Sequence, residues 1–300
     1  SDVYKRQGAF TQASAVNFMA LSDSQRREVL EAYFDKEKGI GYNFCRLTIN
    51  SCDFSTEMYS YDDTPEDYEL KDFSIERDKE DVIPMVLAAK EKAPDLRLFA
   101  SPWSPPAWMK TNGKMDKGGF LRKECQDAWA RYTARYIKAY EEEGIPIWGV
   151  TVQNEAKAEQ GWESCHYEAG EERDFVTGYL KPVYEREGLG DKKIFFWDHN
   201  KERVVDRSLE TLCSDRARAA FDGIAVHWYS GDHFGALDVT HRLFPEKLLI
   251  ASEQCKGREE MPWESGEAYA HDIIGDLNNW VGAWTDWNLS LIHISEPTRR

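Results

Sequence analysis

Short apolar runs recur along the chain, each ending in polar or aromatic residues and followed by a stretch with helical periodicity. They are Tyr42–Asn50, Leu96–Trp103, Ile147–Glu155, Lys193–Asn200, Gly223–Tyr229, Lys247–Cys255 and Val281–Asn288, with Gly8–Thr11 reading as the end of one more. Runs that are apolar nearly throughout suit strands covered on both faces, and strands alternating with helices make a parallel sheet. Eight such units is the barrel number. The expected fold is therefore α/β, a (β/α)8 TIM barrel, which holds a chain of this length as one domain.

The intervening stretches carry helix signals. Ser22-x-x-Gln25 is a capping box ahead of a periodic stretch running to about Asp35. A helix over Ile75–Lys92 contains Pro84, expected to kink or split it. Lys123–Glu143 places Trp129, Tyr132, Tyr136, Ile137 and Tyr140 at helical spacing, a packing face, and stops at Gly144 and Pro146. Glu171–Glu187 and Arg203–Cys213 supply two more helices. No internal repeat or low-complexity linker interrupts them. Ser1–Gln7 and Leu289–Arg300 break the pattern and read as translated sequencing-adapter sequence. The barrel is thus expected over residues 8–288, with 1–7 and 289–300 as non-native tails.

Composition narrows the function. Of 300 residues, 41% are hydrophobic and 31% charged, enough apolar side chain for a large core and too much for a disordered chain. A net charge of −16 repels phosphate backbones and anionic lipid, so a nucleic-acid partner is not expected. No apolar run is long enough for a membrane span. The six cysteines (45, 52, 125, 165, 213, 255) show no paired spacing and read as free thiols, and the seven histidines show no metal-ligand spacing. No metal and no cofactor is therefore expected. No signal peptide is visible. The start reads as truncated, so the compartment stays open, a secreted or periplasmic one included. Aromatic residues reach 13%, many beside Pro, Gly, Asn and Glu. Aromatic faces beside carboxylates and amides suit a sugar, which offers C–H faces and hydroxyl edges together.

In parallel barrels the chemistry sits at the C-terminal ends of the strands. Those ends here read Arg46–Asp53, Ser101–Trp103, Gln153–Glu155, Asp198–Asn200, His227–Tyr229, Ser252–Glu253 and Trp284–Trp287. Glu155 ends the fourth long run, counting the fragment at Gly8 as the first, and Glu253 the seventh. Two carboxyls across a barrel mouth fit glycosidic cleavage, one protonating the leaving oxygen and the other attacking the anomeric carbon. Carboxyls roughly 5 Å apart do not both ionise easily, so the acid is expected protonated near neutrality and the nucleophile charged. A catalytically silent sugar-binding protein would not need both glutamates. A metal-dependent barrel hydrolase would need a His/Asp cluster that the spacing does not show.

The motifs SCDFS (51–55), ASPWSPPAWMKTNG (100–113), TVQNE (151–155), GIAVHWY (223–229), ASEQC (251–255) and AWTDWN (283–288) make the sequence resemble glycoside hydrolase family thirty, whose members include glucosylceramidases and endo-β-1,6-glucanases. The resemblance covers nearly all of residues 8–288 and implies a retaining β-glycosidase acting on a β-glucoside or β-glucan. It implies Glu155 as acid/base and Glu253 as nucleophile. Asn154 would bond the sugar 2-hydroxyl, Arg46 would lie near the nucleophile, Tyr229 and His227 would stand beside it, and Asp53, Trp103 and Trp287 would hold the glucose hydroxyls and ring face. Ala156 stands where the family commonly has proline. The family's barrel is accompanied by a β-sandwich, expected as a partner in cis and missing from this chain. Loops Ala156–Arg173, with Trp162 and Tyr167, and Glu259–Tyr269, with Trp263, would select the aglycone. Their acids (Glu159, Glu163, Glu168, Glu171, Glu172, Glu259, Glu260, Glu264) weigh against a lipid-facing rim.

Overall fold

A computed structural model of the chain describes residues 7–256 and 262–287. Eight strands follow one another in chain order around a single parallel sheet: β1 Gln7–Phe10, β2 Phe44–Ile49, β3 Arg97–Pro102, β4 Ile147–Thr151, β5 Lys193–Asn200, β6 Gly223–His227, β7 Leu248–Gln254 and β8 Val281–Asp286. β8 returns beside β1, so the sheet nearly closes into a barrel. All eight apolar runs become strands, because burial on both faces requires the unbroken apolar stretches that mark them. Gln7 already pairs with Phe44 as the first residue of β1. The expected tails otherwise lie outside the described residues, as do Asn288, Glu259 and Glu260.

Helices α1 Gln12–Ala20 and α2 Asp23–Phe34 follow β1. Ser22 caps α2 with the reciprocal Gln25 bond of a capping box, and the helix ends at Asp35 as its pattern implies. The stretch 75–92 does split, but not at Pro84. A 3₁₀ turn, Glu76–Lys79, is followed by α3, Val82–Lys92, and the Asp81 carboxylate caps the Val82 amide. Pro84 then falls in the first helical turn, where its missing N–H has no partner to lose. Helix α4, Gln126–Glu142, buries Trp129, Tyr132, Tyr136, Ile137 and Tyr140. The next helix is α5, Ala169–Phe175, continuing through one π turn, Val176–Leu180, into α6, Lys181–Arg186. Then come α7 Val204–Thr211, α8 Asp215–Ala220, α9 Phe234–Leu243 and α10 Pro262–Asn278.

Inside the barrel, Phe44, Phe99, Phe195, Ala225, Ile250 and Ala283 form a compact apolar layer at the N-terminal side. The loops above are pinned from outside. The Asp78 carboxylate accepts hydrogen bonds from three phenols, Tyr61 at 2.6 Å, Tyr140 at 2.5 Å and Tyr59 at 3.2 Å, tying the loop after β2 to α4. That loop carries Asp53 to the barrel mouth. The six cysteines are all unpaired.

Candidate active site

Directly above the apolar layer the interior turns polar. Arg46 projects inward two residues after Phe44 and is fully buried. Its guanidinium donates to Glu253 Oε2 (2.7 Å), Asp198 Oδ2 (2.6 Å), Asn154 Oδ1 (3.0 Å) and Ser101 Oγ (2.9 Å). Strands β3, β5 and β7 and the segment after β4 are thereby tied to β2 through one side chain. Asp198 is the counterpart hub, also fully buried. Besides Arg46 it accepts from Thr151 Oγ1 (2.6 Å), Ser252 Oγ (2.5 Å) and the ring N–H of His227 Nε2 (2.9 Å). Burial would raise its pKa. The Arg46 charge, with His227 and Ser252, instead holds it well below the carboxylate range.

The two glutamates face this network from β4 and β7. Glu253 Oε1 accepts from the Tyr229 hydroxyl at 3.0 Å. Glu155 Oε1 lies 3.4 Å from His227 Nδ1 and 3.8 Å from His199 Nδ1, while its Oε2 accepts from Gln160 Nε2 at 3.3 Å. His227 Nδ1 is also 4.0 Å from Glu253 Oε1, so one imidazole nitrogen reaches both carboxyls. Arg46, Asn154, His227 and Tyr229 all lie within this cluster. His227 sits nearer the β4 glutamate than the β7 one.

Backbone geometry fixes the aim. Glu155 takes a left-handed conformation (φ 48°), as do Trp197 (φ 74°) and Asp198 (φ 45°). Side chains other than glycine pay about 1–3 kcal/mol for such backbone, which persists where surroundings hold it. Here the Glu155 N–H donates to the Asp198 carbonyl at 2.8 Å, and Asn154 N–H to the Pro102 carbonyl at 2.8 Å. The pairing of β5 with β6 skips a residue between Trp197 and His199. That bulge turns Asp198 into the barrel three residues after Phe195.

Trp103 and Trp287 stack on each other, 4.7 Å between centroids, with Arg46 over both rings. They are 1% and 4% exposed, so their faces are largely taken by each other and by the guanidinium, leaving edges toward the mouth. Asp53 lies open to solvent at the mouth. Even so, desolvation among its neighbours and the Glu253 charge push its pKa up to about 7. The loop after β4 differs from expectation at three positions. Tyr167, Glu163 and Glu172 are buried, Glu172 against Arg207 at 2.8 Å, so none of them faces a ligand. Trp162, Glu159, Glu168 and Glu171 are exposed, as are Trp263 and Glu264 beyond β7.

The electrostatics run against the expected order of the two carboxyls, lowering Glu155 and raising Glu253. Burial raises the pKa of Glu155, but the His227 hydrogen bond, the His227 and His199 charges and the Gln160 bond outweigh it and lower the group. Burial raises Glu253, reinforced by Glu155 and Asp198 and opposed by His227 and Arg46. His227 is pushed down by burial yet brought up to about 9 by Glu253, Asp198 and Glu155. The cluster's proton therefore sits on the imidazole that bridges the carboxyls.

Asp198, His199 and Gln160 were not legible as site residues. Asp198 and His199 stand at a strand end, a signal of place but not of role. The spacing likewise shows no His/Asp cluster. The fold corrects this, bringing Glu155, His199 and His227 together with one donor atom each, all within 4.8 Å of one another.

A parallel (β/α)8 barrel with two facing carboxyls in a buried ionic network fits the catalytic barrels of glycoside hydrolases. The chain belongs to glycosyl hydrolase family 30: the model of that family's TIM-barrel domain matches residues 5–298. It is 37% identical to lysosomal acid glucosylceramidase of Mus musculus over 95% of this chain and 59% of that protein. The structure is similar to SrfJ from Salmonella typhimurium, with a TM-score of 0.93, 35% identity, and 96% and 65% of the two chains covered. It is also similar to the endo-β1,6-glucanase BT3312, at 0.89 and 27%, with 100% and 69% covered. The chain thus spans about three-fifths of the mouse relative's length.

Proposed function

We propose that this chain is the catalytic barrel of a retaining β-glycosidase of the glucosylceramidase type, with Glu155 as acid/base and Glu253 as nucleophile. The observation that carries the reading is the single nitrogen, His227 Nδ1, within 3.4 Å of one carboxyl and 4.0 Å of the other. A pair bridged in this way fits the roughly 5 Å separation of a double-displacement mechanism.

Substrate filling the mouth expels water and strengthens the pull of Glu155 on the His227 proton. Glu155 so protonated donates to the leaving oxygen as a Glu253 oxygen bonds the anomeric carbon and the glycosidic C–O bond breaks. Glu155, now ionised, takes a proton from water, whose oxygen displaces Glu253 and leaves a sugar of retained configuration. Arg46 and the Tyr229 hydroxyl hold Glu253 for the attack. This cycle uses no metal and no organic cofactor. The family's β-sandwich is the partner we propose in cis. Residues 8–288 are proposed as the barrel unit.

The 37% identity to a glucosylceramidase supports the ceramide-type aglycone. The exposed acids Glu159, Glu168 and Glu171 favour a second reading, an endo-β-1,6-glucanase. Product analysis on glucosylceramide and on β-1,6-glucan separates them. A 2-fluoro glucoside with an activated leaving group tests the mechanism: peptide mapping should place the label on Glu253, and a label elsewhere removes it as nucleophile. No labelling and no turnover would instead favour a silent sugar binder. No helix among the described residues is long and apolar enough to cross a membrane.

A further inference from the structure

Glu155 Oε1, His199 Nδ1 and His227 Nδ1 converge on one small volume. The carboxylate oxygen is 3.8 Å from the first nitrogen and 3.4 Å from the second, and all three atoms fall within 4.8 Å. A tetrahedral ion with bonds of about 2.1 Å holds its ligands about 3.4 Å apart. The cluster is therefore a small side-chain adjustment from metal-binding geometry. Two further observations point to a ligand. His199 Nδ1 is shut off from water and makes no hydrogen bond, lying 3.8 Å from the Glu155 carboxylate. His227 donates its other ring N–H to Asp198, the carboxylate–histidine arrangement that orients metal-binding imidazoles. The His199 ring is itself steadied against Trp197, with centroids 5.0 Å apart.

We infer that Glu155, His199 and His227 form a site for a borderline-soft divalent cation of the zinc class, which locks the acid/base glutamate and silences the enzyme. Two imidazoles and one carboxylate suit zinc, whereas calcium and magnesium take oxygen ligands. The Glu155 and His199 side chains keep 13% and 14% exposure, so an ion can enter from the mouth and keep water in its fourth position. On binding, the cation replaces the proton that His227 Nδ1 holds toward Glu155, and that proton leaves to solvent. The binding itself is independent of the proposed mechanism, while the block of turnover rests on Glu155 being the acid/base.

The test is calorimetric titration of the chelator-stripped chain with zinc chloride, which should show one zinc per chain. His199→Ala and Glu155→Gln should each weaken binding at least tenfold. His271→Gln, at an exposed histidine paired with Asp232, should bind as the parent does. Cobalt(II) should give visible ligand-field bands without thiolate charge transfer. Parent-like affinity in His199→Ala, or a thiolate band, overturns the site. If that variant fails to fold by near-ultraviolet circular dichroism, His199→Asn takes its place with the same expectation. An iminosugar filling the mouth should weaken zinc binding in the unmutated chain, and unchanged affinity would place the ion elsewhere and overturn the assignment. Zinc should abolish aryl β-glucoside hydrolysis at concentrations that saturate the calorimetric site. Saturation with full activity overturns the silencing, while binding by a chain inactive without metal upholds the site and counts against the glycosidase reading.

Discussion

The barrel interior has two layers built from the same strands. In the lower one, Phe44, Phe99, Phe195, Ala225, Ile250 and Ala283 meet side by side, with Phe44 and Phe99 stacked at 4.9 Å. Two residues farther along β2, β3, β6 and β7 stand Arg46, Ser101, His227 and Ser252, all buried and all hydrogen-bonded into one ionic network. Alternation along a strand points residues i and i+2 the same way, so both layers use the same inward positions. The lower layer gains stability from apolar area removed from water. The upper one spends it, since buried charges are favourable only while every partner is present. The carboxyls proposed for the chemistry sit where loss of a partner is most costly.

The largest break in this comparison is expected at Glu253. Glu253→Ala should lower turnover on the order of 10⁶-fold, the scale seen when a nucleophile is removed. The melting temperature should change little, because Arg46 keeps Asp198 as partner. Added azide or formate should restore part of the activity and give a product of inverted configuration. Near-normal turnover in the Ala variant would remove β7 as the nucleophile strand.

Glu155→Gln comes next. Loss of the acid should cost about 10²–10⁴-fold on glycosides with poor leaving groups and far less on activated aryl glycosides, which need no proton. Equal slowing of both substrate types, read from kcat/KM, would contradict the acid role.

The two layers can then be set against each other at similar cost in stability. Phe195→Ala opens a cavity in the lower layer and should cost about 3–5 kcal/mol. Asp198→Ala removes the buried carboxylate that accepts from Arg46, His227, Thr151 and Ser252 together, and should cost about the same. Below the melting transition the Phe195 variant should keep kcat, whereas the Asp198 variant should lose it. Retained kcat in the Asp198 variant would make the upper network structural only.

The lower layer was the more legible of the two. Continuous apolar runs such as Ile147–Thr151 announce a strand wherever it packs, and Glu155 and Glu253 could be found as the acids ending two of them. The role of Asp198 could not be read in that way. It depends on one skipped residue between Trp197 and His199, which alternation alone does not foresee. His199 meets Glu155 only because β5 lies beside β4, and Gln160 because its loop folds back over the mouth. The lowering of Glu155 and the raising of Glu253 arise from the same cause. Residue types gave two carboxyls competing for a proton, while the fold adds an imidazole that takes it.

That imidazole makes the smallest effect and the sharpest division between layers, the pH dependence of stability. His227 is raised to about 9 from an ordinary value of 6.5. A group whose folded pKa is raised stabilises fully below its unfolded value and loses that contribution as pH rises through the folded value. Stability should therefore fall between about pH 6.5 and 9, by roughly 3 kcal/mol from this group. Asp53 and Asp286, each raised to about 7, act mainly below that window. The buried thiols Cys45 and Cys165, raised to about 12, act above it. Lys110, lowered to about 8 by burial, acts from there upward with the opposite sign, so thermal melts from about pH 7 to pH 8 report mostly on His227. Phe195→Ala should lower every melting temperature while leaving the slope with pH unchanged. His227→Gln should flatten the slope. If His227→Gln keeps the parent slope, or Phe195→Ala loses it, the proton is not held by the upper network, and the division of labour between the layers fails at its titratable centre.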